Sequence, residues 1–205
     1  MENKIENEII SKLLNNNDEL NNLFIKCHKI YKQIPPAKNE NKFAFGILIQ
    51  MSIIDCLNKL FYKCEDLDNN HSYGSEYKND CCLYLDEIIK VNISIKAKSK
   101  KSGNIIIINN YSSKKERNLS DLITIVLIIE TNTILILPHL IIPKEYIINN
   151  DANIIYKGSL INYIIKNKQE LVIKLKENEK FINFINNDLF LIKPINIYKD
   201  LYDKL

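Results

Sequence analysis

Apolar positions recur at helical spacing near the start of the chain, at Ile9, Ile10, Leu13 and Leu14 and then at Leu20, Leu23, Phe24, Cys27, Ile30 and Tyr31. The polar run Asn15 to Asp18 breaks them, which predicts two helices within residues 5–32, and Pro35-Pro36 closes the pair. Residues 41–63 follow, with Phe43, Phe45, Ile47, Leu48, Met51, Ile54, Leu57, Leu60 and Phe61 spread over a wide arc, the pattern of a helix set into a core. The period then shortens. Asp80 to Leu85 and Ile88 to Lys98 read as two strands joined by a tight turn at Asp86-Glu87, which sets Asp80 opposite Ile93. Alternation sends Val91, Ile93, Ile95 and Ala97 to the core and Lys90, Asn92, Ser94, Lys96 and Lys98 to the other face.

Farther on, residues 122–130 and 133–137 form an apolar stretch interrupted by Glu130, Thr131, Asn132 and Thr133 and ended by Pro138-His139. Those polar residues in its middle argue against a membrane span and for two buried strands joined by a turn. Continuous apolar strands belong to a sheet covered on both faces. Ile105 to Ile108 reads as a short strand or buried loop and Ser112 to Asn118 as a polar turn. The remainder reads as an extended piece at Asn153 to Tyr156, a helix near Leu160 to Ile165, an alternating strand from Glu170 to Lys176, and a helix near Glu177 to Asn186. The expected fold class is therefore α/β (α+β), a central mixed β-sheet flanked by helices. A single domain is expected over 1–205, divided into an N-terminal helical segment (1–36), a core (40–145) and a C-terminal cap (146–205).

Composition narrows the chemistry. With 205 residues, 46% of them hydrophobic and 26% charged, the chain is long enough to bury one substantial core. Isoleucine, asparagine and lysine are heavily used and Arg117 is the sole arginine, a bias of AT-rich coding that lowers the meaning of any one lysine. The opening MENKIENE has no apolar region, which argues against a signal peptide and for a cytoplasmic protein. Cys27, Cys56, Cys64, Cys81 and Cys82 have neither CxxC spacing nor an even count, so reduced, packed thiols are expected. His28, His71 and His139 fit no zinc pattern, and none is assigned a catalytic role. Charge, by contrast, is segregated. Residues 88–120 hold Lys90, Lys96, Lys98, Lys100, Lys101, Lys114, Lys115 and Arg117 against the single acid Glu116, while the whole chain carries only +3. A local positive field of this kind suits a phosphate backbone, and the interleaved Asn104 and Asn110 suit base edges or phosphates. A solvated lysine-rich surface has the same composition.

Three features in order carry a resemblance: the stretch GILIQ from Gly46 to Gln50 on a core helix, Asp80 at the start of a strand, and Ser94-Ile95-Lys96 within the next. They resemble the core of the PD-(D/E)xK nucleases, the fold of many type II restriction endonucleases, over roughly residues 40–145. The resemblance implies a restriction-endonuclease-like core in which Asp80 and an acid two residues before the lysine hold Mg²⁺ and Lys96 orients or activates the attacking water. Ser94 occupies the place of that second acid, and Gln50 that of a helical Glu which approaches the metal. Glu76, Glu116 and Glu130 are candidates for the missing ligand, and Glu116 is taken with Asp80 as the metal pair. The implied activity is a Mg²⁺-dependent endodeoxyribonuclease cutting double-stranded DNA, of restriction type and homodimeric, with no membrane partner. Its DNA contacts are expected from Lys98, Lys100, Lys101, Asn104, Asn110, Lys114, Lys115 and Arg117. Ser94 and Gln50 equally suit a catalytically inactive nuclease-like module that binds nucleic acid. An unrelated α/β interaction protein with a basic face is the third reading.

Overall fold

The computed structural model of the chain describes residues 3–36, 42–67, 80–100, 105–109, 111–112, 115–116, 122–149 and 153–175. Helices α1 (Asn3–Leu14) and α2 (Asn17–Gln33) are separated at Asn15-Asn16, as the break in apolar spacing predicts, and α3 (Lys42–Leu60) follows. The strands in chain order are β1 (Lys63–Asp66), β2 (Cys81–Tyr84), β3 (Lys90–Lys98), β4 (Ile106–Asn109), β5 (Tyr111–Ser112), β6 (Lys115–Glu116), β7 (Leu122–Ile128), β8 (Thr133–Pro138), β9 (Ile147–Asn149), β10 (Asn153–Tyr156) and β11 (Val172–Lys174). Helix α4 (Ser159–Asn167) lies between the last two. Among the described residues no helix is long and apolar enough to cross a membrane.

Six strands form the main sheet in the order β1-β2-β3-β7-β8-β11. Its pairs are antiparallel except β3 with β7, which run parallel, so the sheet is mixed, as expected. A parallel pair needs a long connection. Here that connection contains β4, which leaves the main sheet to pair with β10 in a smaller sheet ordered β4-β10-β9. The segment read as a polar turn at 112–118 holds the end of β5 and all of β6, which pair with each other.

Helices α1, α2 and α3 cover one face. Leu13, Leu23, Ile53, Cys56 and Leu57 from the three helices meet Ile125 and Ile134 of the sheet around a small void. Alternation puts Val126, Leu135 and Leu137 on the other face, and they are just as buried. The sheet is thus covered on both sides, and Ile108, Ile154, Tyr156, Leu160 and Ile164 of the smaller sheet and α4 belong to the same continuous core. Between β7 and β8 the chain turns through Asn132, which has φ 48°, a left-handed conformation that asparagine tolerates better than most residues. Its side-chain Oδ1 accepts a 2.8 Å hydrogen bond from His28 Nε2 of α2, tying the helical layer to this turn.

The β2–β3 hairpin differs from expectation by one residue. Leu85 N–H donates to Ile89 O, leaving a three-residue loop at 86–88 rather than a two-residue turn. Asp86 Oδ1 accepts the N–H groups of both Ile88 and Ile89, and these bonds hold its carboxyl below the ordinary range. The extra loop residue pairs Cys81 with Ile93, so Asp80 stands opposite Ser94 instead of Ile93.

Candidate active site

That one-residue shift decides which face Asp80 joins. Residues directly opposite in an antiparallel pair share a face, and Asp80 therefore comes out beside Ser94 and Lys96, away from the helical layer. Its backbone is held from both sides: Asp80 N–H donates to Ile93 O at 3.0 Å, and Leu67 N–H donates to Asp80 O at 3.2 Å. With the main chain fixed, the carboxylate has a defined reach. Asp80 Oδ2 accepts the Ser94 hydroxyl at 3.0 Å and the N–H of Ile95, and it lies 3.6 Å from Lys96 Nζ. The carboxylate so takes over an N–H of β3 beyond the point where β2 ends.

Burial is graded across this site. Ser94 is 1% exposed. The Asp80 and Lys96 side chains keep 23% and 31% of their surface, so the ion pair opens to solvent on one side. Next to Ser94 across the parallel β3–β7 pair stands Thr124, fully buried, with an Oγ1 that has no hydrogen-bond partner. Asp80, Ser94 and Thr124 form a polar row across three strands. Thr124 is missing from the site expected from sequence; the signal was present, since it is the one polar residue in LITIVLI, but its level against Ser94 depends on a parallel pairing that spacing does not reveal.

The other expected residues are distributed differently. Gln50 is buried on α3, whose neighbours Ile53 and Leu57 face the opposite side of the sheet. Its Nε2 has no partner, and it makes no hydrogen bond to Asp80, Ser94 or Lys96. Lys98, expected among the DNA contacts, is only 8% exposed, and burial pushes its ammonium below the ordinary lysine range. Lys100 is exposed beyond the end of β3, whereas Glu130 is exposed in the β7–β8 turn. Lys115 and Glu116 lie on β6, and their side chains fall outside the described residues. So do Lys101, Asn104, Asn110, Lys114, Arg117 and Glu76, together with the helix expected near 177–186. The five cysteines are free and buried, as their spacing predicts.

A divalent cation wants two or more hard oxygen donors. Among the described residues no group of three or more His, Cys, Asp or Glu side chains is arranged to hold a metal. Asp80 is the one carboxylate in the trio, and its Oδ2 already carries two hydrogen bonds and the ion pair with Lys96. The described donor set falls short of a metal site by at least one acid.

No family model, curated protein or solved structure matches this chain.

Proposed function

We propose that this chain is an endonuclease acting on double-stranded DNA, with Asp80, Ser94 and Lys96 at its active site. The observation that carries the reading is the convergence of Asp80 Oδ2 on Ser94 Oγ and Lys96 Nζ at 3.0 and 3.6 Å, on one partly open face. Those are three of the positions that the nuclease resemblance names. The order of elements, a core helix, the hairpin and then further strands ending at Pro138, is the order that the resemblance calls for. An ammonium beside a carboxylate is suited to holding a water or a phosphate oxygen in place, and the basic stretch around β3 to β6 supplies positive charge for the backbone. Mg²⁺, in such a site, supplies a Lewis acid to the scissile phosphate. The described donors do not complete its coordination.

A second reading is favoured by two observations: Asp80 is already held by two hydrogen bonds and an ion pair from its own sheet, and no carboxylate stands at Ser94. On that reading the fold binds nucleic acid without cutting it. The two separate on long duplex DNA incubated with Mg²⁺ or with EDTA. The endonuclease gives discrete fragments with Mg²⁺ alone, and Asp80→Ala retains binding but loses cleavage. Intact DNA at protein concentrations that bind it leaves only the binding module.

A further inference from the structure

Away from the trio, a cavity of about 140 Å³ opens between α1 and the starts of β3 and β7. Its walls are mostly apolar, formed by Ile5, Val91, Leu122, Ile123 and Pro138, with His139 beside them and the exposed Leu140 and Ile141 at its rim. Glu6 also lines it. This residue sits in the first turn of α1 and is only 8% exposed, and its Oε2 is buried with no hydrogen-bond partner. A buried carboxylate oxygen without a donor is costly, and neither Lys90 nor His139, the polar side chains that line the cavity, gives Oε2 a hydrogen bond. Lys90 lines the same cavity and is exposed, yet it forms no ion pair with Glu6.

We propose that this cavity binds a small amphipathic cation, a primary amine on an apolar body, with its ammonium on Glu6 and its body against Val91, Ile123 and Pro138. A cavity of this volume accommodates a benzene-sized body. The ammonium supplies the donors that Glu6 lacks, and the apolar walls cover the rest. Lys90 repels a second positive charge, so a monocation is preferred to a polyamine. The site stands on the helix-covered side of the sheet and is independent of the nuclease reading.

Benzylamine is the probe, titrated calorimetrically into the full-length chain beside benzyl alcohol, its neutral counterpart, and spermidine. One benzylamine is expected to bind per chain. Hydrogen bonds to a charged group make it at least about tenfold tighter than the alcohol, with spermidine weaker than benzylamine. Glu6→Gln is expected to abolish the preference for the amine. Should that variant fail to fold, amide chemical shifts of the unaltered chain decide, with benzylamine expected to move Ile5, Glu6, Val91 and Ile123. No binding, equal affinity for amine and alcohol, a preference that survives Glu6→Gln, or shifts centred elsewhere would each overturn the proposal.

Discussion

At Asp80 one oxygen accepts two hydrogen bonds, from the Ser94 hydroxyl and the Ile95 N–H, and pairs with the Lys96 ammonium, and the Ser94 side chain is almost wholly buried. Replacing Ser94 by aspartate puts a second carboxylate against the first, as the family motif has it. Two like charges in a buried position without a metal ion are costly even beside Lys96, so Ser94→Asp is expected to lower stability by about 3 kcal/mol or more. If the trio is a metal site, Mg²⁺ restores a large part of that loss in thermal melts; a loss that Mg²⁺ leaves untouched counts against it. The cysteines give a separate test. Burial pushes the Cys56 thiol up to about 12, with Glu19 adding to the effect, and burial likewise raises Cys27. In the unfolded chain a thiol titrates near 8.5. The folded state therefore keeps protons that the unfolded state gives up, and this contribution to stability, complete below about pH 8.5, is lost as pH rises toward 12, at about 1.4 kcal/mol per pH unit for each such thiol. Urea midpoints are expected to fall between pH 8 and pH 10, with thiol reagents reacting only on unfolding; equal midpoints at the two values contradict this. At this scale the sequence shows which side chains share a face of β3, because alternation is local. It does not show that Asp80 meets Ser94, because that depends on whether the hairpin loop has two residues or three.

Among elements, α3 offers the sharpest test. Gly46 lies inside this helix, and a β-carbon added there meets nothing within 4 Å. The glycine is therefore not required for close packing. Gly46→Ala is expected to stabilise the protein by about 0.5–1 kcal/mol through helix propensity and reduced freedom of the unfolded chain. A urea midpoint that falls instead would show that the space beside Gly46 is needed. The long apolar periods of α1, α2, α3, β7 and β8 are legible from sequence because each buries a full stripe or both faces. β1 is not legible: Lys63-Cys64-Glu65-Asp66 buries only Cys64, and its place comes from pairing with β2. β9 is similar, with an exposed Ile148 and a partner strand that supplies its order. Short strands of this kind are specified by their neighbours more than by their own pattern.

Across the whole molecule, the mixed sheet is buried on both faces, and the Asp80–Lys96 pair beside the start of β2 stays partly open to solvent. A hairpin followed by continuous apolar strands made the layered architecture legible. The parallel β3–β7 pair was not, since it is set by a long connection that contains β4. Basic charge concentrated in residues 88–120 stands against a small net charge, so DNA affinity is expected to fall steeply with salt. Binding alone would not distinguish catalysis from capture. The measurement that does so is the fragment pattern of long duplex DNA with Mg²⁺, for the unaltered chain and for Lys96→Ala at concentrations giving equal binding. The account predicts discrete fragments from the first and intact DNA from the second. Intact DNA from both, or unchanged cutting by Lys96→Ala, would contradict an active site at Asp80, Ser94 and Lys96.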